Sequence, residues 1–295
     1  MKAKRIDRIA TGVIYAMVGL VVLILIGLLG FILATGLPHV SWRFLTSSAA
    51  AFSAGGGIGD QLFNSFYLLV LTLILSLPIA LGAAIYLNEY APQNKITEIM
   101  RIMIEVLSSL PSVVVGLFGF LLFVVQFQLG FSILSGAIAL TLFNLPLLTR
   151  SIENALAGVP NLQREAGLAL GISRWHTITK VILPAALPGI LTGVILSAGR
   201  VFGEAAALIF TAGQSAPSLN YVDWNPLSST SPLNIFRPAE TLAVHIWKIN
   251  TEGIMPDASQ VSAGASAVLI IVILIFNFSA RRLGNWVYRR ITASR

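Results

Sequence analysis

Long apolar stretches dominate the chain, and polar residues collect in the segments between them. A helix needs about 20 apolar residues to cross the ~30 Å hydrocarbon core of a bilayer. Six stretches meet this requirement, so the sequence predicts six transmembrane helices. They lie near residues 10–35, 62–87, 102–125, 131–150, 185–212 and 261–280.

Three long polar segments separate these predicted spans. Segments 36–60 and 213–260 are rich in Gly, Ser, Pro and Asn, which favours irregular structure. The third segment, 151–184, carries the motif analysed below. None of the three is large enough to fold alone, so residues 1–295 are expected to form a single polytopic domain. The first span is too long for a cleaved signal sequence and is expected to remain in the mature protein.

Composition and charge agree with a membrane protein. Hydrophobic residues make up 56% of the chain and charged residues 11%, whereas about a quarter of a soluble domain is charged. Fifteen of the nineteen Lys and Arg lie before the first span, between the second and third, within 150–184, or after the sixth. Basic residues mark cytoplasmic loops, so both termini are predicted to be cytoplasmic. The net charge of +7 is then explained by topology rather than by nucleic acid binding.

The sequence contains no recognisable catalytic or metal-binding constellation. His39, His176 and His245 fall in separate loops, where we expect them to be solvated. The chain has no cysteine, and its glycine cluster at 55–60 lacks the Lys-Ser/Thr ending of a phosphate-binding loop. We therefore expect no cofactor, no metal and no ATPase site in this chain. If ATP drives its activity, another subunit binds the nucleotide.

The most specific segment is EAGLALGISRWHTITKVILP, residues 165–184. It predicts a short helix that ends at Gly171, because glycine readily adopts the left-handed conformation that stops helices. Ser173 is then placed to cap a second short helix through Trp175 and Ile178. Such a helix–turn–helix suits docking into a groove on a neighbouring subunit. An amphipathic segment lying on the lipid headgroups is the alternative.

A second unusual segment, RVFGEAAALIFTAG at 200–213, lies in the fifth predicted span. A central arginine costs roughly 2.5–3.5 kcal/mol on insertion scales, so Arg200 should face protein or a watery cavity. The i, i+4 spacing predicts that Arg200 and Glu204 share a helix face, and Gly203 permits close approach of another group. Two interpretations stay open: a structural ion pair, or an oxyanion pathway in which Glu204 holds and releases the Arg200 guanidinium.

Pro111 interrupts the third predicted span and is surrounded by Ser108, Ser109 and Ser112. These hydroxyls could hydrogen-bond backbone carbonyls that the proline leaves unpaired, or they could face a passing oxyanion. We favour the structural interpretation, because serine side chains commonly bond the backbone of their own helix.

Several of these segments resemble permease subunits of ABC importers. Residues 165–184 resemble the EAA motif, with Gly167 in place of its second Ala and Val181 in place of its Ile. Residues 200–213, PSVVVGLFGF at 111–120 and IYLNEYA at 85–91 are similar to segments of phosphate importer permeases. AAALIFTAG at 205–213 resembles the PstA type, although Ala207 stands where proline is usual.

The resemblance implies an all-α membrane protein with six transmembrane helices, the MetI-like fold of type I ABC importer permeases, and both termini inside. It implies a non-enzymatic subunit that imports inorganic phosphate across the cytoplasmic membrane of a bacterium or archaeon. Its implied partners are a PstC-type permease as heterodimer, two copies of a cytoplasmic ATP-binding subunit and an extracytoplasmic phosphate-binding protein. Importers of sulfate or molybdate and a non-transporting scaffold are the alternatives.

The same resemblance assigns candidate site residues in two regions of the chain. The substrate-pathway residues are Arg200, Glu204 and Gly203, and the ATPase-docking residues are Glu165, Ala166, Gly167 and Gly171.

Overall fold

The computed structural model describes residues 2–50, 53–215, 217–253 and 255–293, and the regular structure within these ranges is helical. The helices are α1 Lys2–Gly36, α2 Trp42–Thr46, α3 Gly59–Ile85, α4 Lys95–Ser108, α5 Ser112–Gly119, α6 Ile133–Ala157, α7 Asn161–Ala169, α8 Arg174–Thr177, α9 Leu183–Phe202, α10 Ala206–Thr211, α11 Leu242–Glu252 and α12 Ala258–Ala293. Wider π-helical turns extend α3 over Tyr86–Tyr90 and α5 over Phe120–Gln126, and precede α9 over Ile178–Ile182.

Five helical stretches in the described ranges are long and apolar enough to cross a membrane. They are Ile6–His39, Gly59–Tyr90, Ile133–Ala157, Arg174–Phe202 and Ala258–Arg290. Each overlaps one of the predicted spans. We name the two ends of this bundle by the predicted orientation, so that segment 151–184 lies at the inner end and segments 36–60 and 213–260 lie at the outer end.

The third predicted span, 102–125, is not one continuous helix. Helix α4 and the stretch Ser112–Gln126 meet at an angle of 94°. Pro111 precedes the first residue of α5, where its missing N–H and fixed φ are tolerated, and it cannot continue α4. The hydroxyls of Ser108 and Ser109 donate to the carbonyl oxygens of Glu105 and Val106, each at 2.7 Å. These two serines therefore bond the backbone of α4, as the structural interpretation expects, although neither bonds the carbonyl of Leu107 that Pro111 frees.

Helix α6 packs against α3 on one side and against α9 on another. Gly189 and Gly193 of α9 lie so close to α6 that a Cβ atom on either would stand 2.7 Å from the Cβ of Ala155 or Ser151. Small residues four apart allow two helix backbones to approach closely inside a membrane. Because α9 runs antiparallel to α6 in this contact, residues near 200 lie level with residues near 144.

A buried arginine fixes the outer segment to α3. Arg237 Nη2 donates to Asn64 Oδ1 at 2.7 Å, and its Nε donates to the carbonyl oxygen of Ser231 at 3.1 Å. Asn64 in turn donates through Nδ2 to the carbonyl oxygen of Glu240 at 3.0 Å. Arg237 lies in the predicted outer segment 213–260, yet its side chain is part of the protein interior. Its burial requires these hydrogen bonds, because an unpaired buried charge is strongly destabilising.

The prediction that His245 is solvated is wrong, since only 3% of this residue is exposed. It lies on α11, which packs against α3 and α12 and carries the side chain inward. His245 Nδ1 lies 3.2 Å from Glu240 Oε1, and Gln61 Nε2 donates to Glu240 Oε2 at 2.9 Å. The ammonium group of Lys248 lies 3.7 Å from the same carboxylate. His39 and His176 are exposed as expected.

The buried Glu240 carboxylate predicts acid sensitivity of the outer end. Burial alone would raise the pKa of Glu240, but the nearby His245 imidazole, the hydrogen bond from Gln61 and the ammonium group of Lys248 outweigh it, so the pKa lies below its ordinary value. A depressed carboxyl pKa contributes stability above the unfolded-state pKa, and this stability is lost as pH falls through the folded-state pKa. Glu240→Gln should therefore lower the thermal midpoint at neutral pH by about 4 °C and weaken its pH dependence.

Thermal unfolding of the detergent-solubilised protein between neutral pH and pH about 4 measures both effects. Glu252→Gln is the matched control, because Glu252 is exposed at the end of α11. Equal midpoints and equal pH dependence for wild type and Glu240→Gln would contradict the assignment.

Candidate functional site

Helix α9 ends immediately after the predicted pathway arginine. Its last residue is Phe202, Gly203 follows as its exposed C-cap, and α10 begins only at Ala206. The prediction of one continuous helix over 185–212, with Arg200 and Glu204 paired on one face, is therefore wrong. Glu204 Oε1 instead accepts the backbone N–H of Ala207 at 3.1 Å, which satisfies a free donor at the start of α10. This local bond competes with helix continuation through Gly203.

The side chain of Arg200 lies on an aromatic ring. Its guanidinium carbon is 3.8 Å from the centre of the Phe143 ring on α6. Such a cation–π contact is worth about 2 kcal/mol when it is shielded from water. Among the described residues, no ion pair joins Arg200 to a carboxylate. The guanidinium group is therefore half-buried on an aromatic ring, with no carboxylate partner among the described residues.

Other polar side chains lie at the same depth as Arg200. Asn144 is 0% exposed, and within the described ranges neither polar atom of its amide has a hydrogen-bond partner. Ser197, one turn before Arg200, is also fully buried, and its hydroxyl lacks a partner in the same ranges. Asn277 Oδ1 of α12 lies 3.9 Å from the position of a Cβ atom on Gly199. A polar layer thus crosses the bundle at the middle of α6 and α12 and at the C-terminal end of α9.

The sequence pattern pointed to Arg200 but not to Phe143, Asn144 or Asn277. The sequence did contain an indication of the two asparagines. Placing a polar residue inside an apolar span costs free energy, so such residues are usually functional. Asn144 occurs in LTLFNLPLL and Asn277 in IFNFS, both within predicted spans or at their ends. Phe143 carried no such signal, since one more aromatic residue in an apolar span is ordinary.

The predicted helix–turn–helix at the inner end is present. Helix α7 ends at Ala169, and Gly171 adopts φ +72°, the left-handed conformation expected there. The hydroxyl of Ser173 accepts the backbone N–H of His176 at 3.3 Å at the start of α8. We call residues 161–177 the α7–α8 hairpin. Its local turn chemistry is confirmed as predicted.

Close packing between the two short helices explains one departure from the EAA pattern. Gly167 of α7 is buried, and a Cβ atom there would stand 2.6 Å from Cγ2 and 2.7 Å from Oγ1 of Thr177. Alanine at this position would require the threonine to move. Gly167 therefore lets α7 and α8 pack directly against each other.

The opposite surface of the hairpin is exposed and partly apolar. Glu165 and Ala166 are exposed, as is Gly171 at the turn. Large apolar side chains surround them: Leu162, Leu168, Leu170 and Trp175, of which Leu170 is 78% exposed. A carboxylate among exposed apolar side chains is typical of a protein-docking surface.

Membrane-spanning helices, an exposed hairpin at one end of the bundle and an arginine inside it are the features expected of a transport permease. Residues 76–293 match the protein family described as binding-protein-dependent transport system inner membrane component. The match covers most of the chain, so the chain belongs to this family and is a permease subunit of an ABC importer, a membrane transport subunit.

Two kinds of relative stand out among curated proteins. Over 294 residues the chain is 52% identical to the probable ABC transporter permease protein YqgI of Bacillus subtilis (strain 168), and both proteins are covered completely. It is 31% identical over 259 residues to the phosphate transport system permease protein PstA 2 of Mycobacterium tuberculosis, covering 88% of this chain and 81% of that protein. Identity to PstA of Haemophilus influenzae is 33% over 248 residues, covering 84% and 83%.

Solved structures of ABC transporters share the fold. The bacterial alginate transporter, in its complex with an alginate-bound periplasmic protein, matches with a TM-score of 0.65 at 13% identity, covering 94% of this chain and 95% of the other. The MetNI methionine transporter matches with a TM-score of 0.57 at 19% identity, covering 80% and 94%. The prediction of an all-helical membrane protein with the MetI-like fold of type I importer permeases is thereby confirmed. The described residues contain five candidate spans, or six if the α4–α5 pair counts as one.

Proposed function

We propose that this chain is the permease subunit of an ATP-driven importer that moves inorganic phosphate inward across the cytoplasmic membrane. The observation that carries the proposal is the guanidinium group of Arg200, which lies on Phe143 inside the bundle and has no carboxylate partner among the described residues. A planar guanidinium fork suits the oxygens of a tetrahedral oxyanion, which it can bind bidentately.

The relatives support phosphate at the level of resemblance. Both PstA proteins named above carry phosphate transport in their names, whereas the name of the Bacillus protein specifies no substrate. In this proposal Arg200 contacts the passing anion, Gly203 keeps the end of α9 open to close approach, and Glu204 fixes the start of α10. Glu204 acts through the backbone rather than by holding the Arg200 side chain.

The topology, the docking loop and the partners are proposed from the resemblance to phosphate importer permeases. Residues 1–295 form one polytopic domain with both termini in the cytoplasm, and segment 151–184 is the ATPase-docking loop. Within it, Glu165, Ala166 and Gly171 contribute the exposed surface, and Gly167 holds the hairpin together. The partners are a PstC-type permease, two copies of an ATP-binding subunit and an extracytoplasmic phosphate-binding protein.

Reconstitution tests the substrate directly. The permease pair and its ATPase are placed in phospholipid vesicles that enclose ATP, and uptake of labelled phosphate, sulfate and molybdate is followed with matched binding proteins outside. We expect phosphate to accumulate and the other two anions to remain outside. Accumulation of sulfate or molybdate without phosphate would refute the substrate. ATPase binding without uptake of any anion would instead favour a scaffold.

A further inference from the structure

Two buried carboxylates lie at the inner end of the bundle, away from both Arg200 and the exposed docking surface. The first, Glu89, follows α3 and is only 5% exposed. Arg164 of the α7–α8 hairpin donates to it through Nη2 at 2.9 Å and through Nε at 3.1 and 3.3 Å. Asn88 Nδ2 donates to the same carboxylate at 2.7 Å. The hairpin is thus joined to the end of α3 by a charged, multidentate contact.

Arg164 also joins the hairpin to the end of α6. Its Nη1 donates to the carbonyl oxygen of Val159 at 2.6 Å, and its Nη2 donates to that of Leu156 at 2.7 Å. These carbonyl groups lie at the C-terminal end of α6, where helical partners are missing. One guanidinium group therefore holds α3, α6 and α7 together.

A second arginine of the hairpin reaches the same place. Arg174 of α8 donates to the backbone carbonyl oxygen of Glu89. Its guanidinium carbon lies 4.9 Å from the centre of the Tyr90 ring. Both helices of the hairpin are consequently attached to residues 89 and 90.

The second carboxylate, Glu153 on α6, joins α4 to the same unit. Arg101 of α4 donates to it through Nε at 2.7 Å, and Arg150 donates through Nη1 at 3.0 Å. Arg101 Nη2 also donates to the carbonyl oxygen of Leu87 at 3.1 Å. Glu153 is buried, and hydrogen bonds from both arginines offset the cost of burying its carboxylate.

Helix α6 connects these contacts at the inner end to the centre of the bundle. Helix α6 is continuous from Ile133 to Ala157, and it carries the ring of Phe143 on which Arg200 lies. A displacement of the hairpin would therefore reach the inner end of α6, and α6, which contains Pro146 between Glu153 and Phe143, would pass it to the contact between Phe143 and Arg200. Tightly packed helices move as units rather than deforming continuously.

We propose that Glu89 and Glu153 are positioning residues that lock the α7–α8 hairpin and the inner ends of α3, α4 and α6 into one rigid unit. This unit transmits movement of the ATP-binding subunit to the Arg200 site. The inference rests on the proposed function for its direction of coupling, but the rigidity of the unit is measurable without any transported anion.

The absence of cysteine makes this rigidity accessible to pairs of spin labels. Cysteines at the exposed positions Gln163 on α7 and Ile99 on α4 report the distance between hairpin and α4. The full complex in vesicles is measured with and without ATP by pulsed electron paramagnetic resonance. We expect one narrow distance distribution that is unchanged by ATP. A distance that changes with ATP in the wild-type background would overturn the proposal.

Glu89→Gln should broaden this distribution and uncouple the complex. Phosphate uptake per ATP hydrolysed should fall by about tenfold, corresponding to ~1.4 kcal/mol, while hydrolysis continues. Glu98→Gln is the matched control, because it makes the same chemical change at an exposed site on α4 and should match wild type. An unchanged distance and unchanged coupling in Glu89→Gln would overturn the proposal.

The double variant Glu89→Gln/Arg164→Gln covers the case in which the single variant fails to assemble. It removes both charges, so no buried charge is left unpaired, yet it still breaks the contact. The same broadening is expected, and normal coupling in the double variant would overturn the inference. If the wild-type complex shows the rigid distance but takes up no phosphate, the substrate proposal fails and this inference stands.

Discussion

Arg200→Gln is expected to reduce uptake of labelled phosphate in reconstituted vesicles by about a hundredfold or more. Glutamine keeps hydrogen-bond donors but loses the positive charge, and removing a charged partner from a buried contact costs ~3 kcal/mol or more. The variant should still insert and assemble, because no ion pair in the described residues depends on Arg200. Initial uptake rates at matched amounts of membrane-inserted complex measure the effect.

Two further variants distinguish the effect of the Arg200 charge from the effect of its position on Phe143. Phe143→Leu keeps the charge but removes the ring beneath it, so we expect a smaller loss of about tenfold. Arg43→Gln makes the same substitution at an exposed outer arginine and should leave uptake unchanged. Normal uptake by Arg200→Gln would refute the pathway role, whereas disappearance of the protein from the membrane would assign the arginine to structure.

The second large effect is expected at the docking surface, where Glu165→Lys should abolish uptake while the ATP-binding subunit still hydrolyses ATP. Glu165 is exposed on α7 beside apolar side chains such as Leu168 and Leu162, so reversing its charge changes the surface without disturbing the interior. Like-charge contacts at an interface cost several kcal/mol, enough to reduce coupled transport by about a hundredfold. Parallel assays of hydrolysis and uptake on one vesicle preparation reveal the separation.

Gln163→Lys provides the control for this experiment. It adds a lysine to the same helix two residues earlier, at another exposed position. We expect it to retain most of the uptake, because it adds a charge without reversing one. If Glu165→Lys transports normally, the hairpin does not dock through this carboxylate.

Local chemistry made the hairpin predictable from the sequence. The left-handed Gly171 and the cap at Ser173 depend on residues within three positions of each other, and the structure has both. The apolar spans were predictable for the same reason, since length and hydropathy are properties of a single segment. The position of the α7–α8 hairpin followed directly.

Competition between local bonds explains the main error at the candidate site. The i, i+4 spacing of Arg200 and Glu204 fits a continuous helix, but the carboxylate bonds Ala207 and the helix ends at Gly203. Sequence spacing alone does not show whether a carboxylate pairs with a side chain of its own helix or bonds a backbone N–H at the start of the next helix. Pro111 gave a clear signal for a break, but the 94° bend that follows depends on tertiary packing.

Contacts between distant segments could not be predicted at all. The similarity of residues 85–91 to a known segment marked the neighbourhood of Glu89, but its partner Arg164 lies 75 residues away. The burial of His245 and Arg237 could not be predicted either, because each is buried only when the outer segment 213–260 packs against α3. Burial of a charged residue is a property of the assembled fold rather than of its local sequence.

The early end of α9 has an electrostatic consequence for Arg200. The aligned peptide dipoles of a helix place roughly half a negative charge on the carbonyl groups of its last turn. Because α9 stops at Phe202, Arg200 lies in that last turn, where this partial charge favours a cation. A helix extended to Thr211 would carry the negative pole more than two turns away. The break at Gly203 thus places the negative pole of α9 beside the Arg200 guanidinium inside the bundle.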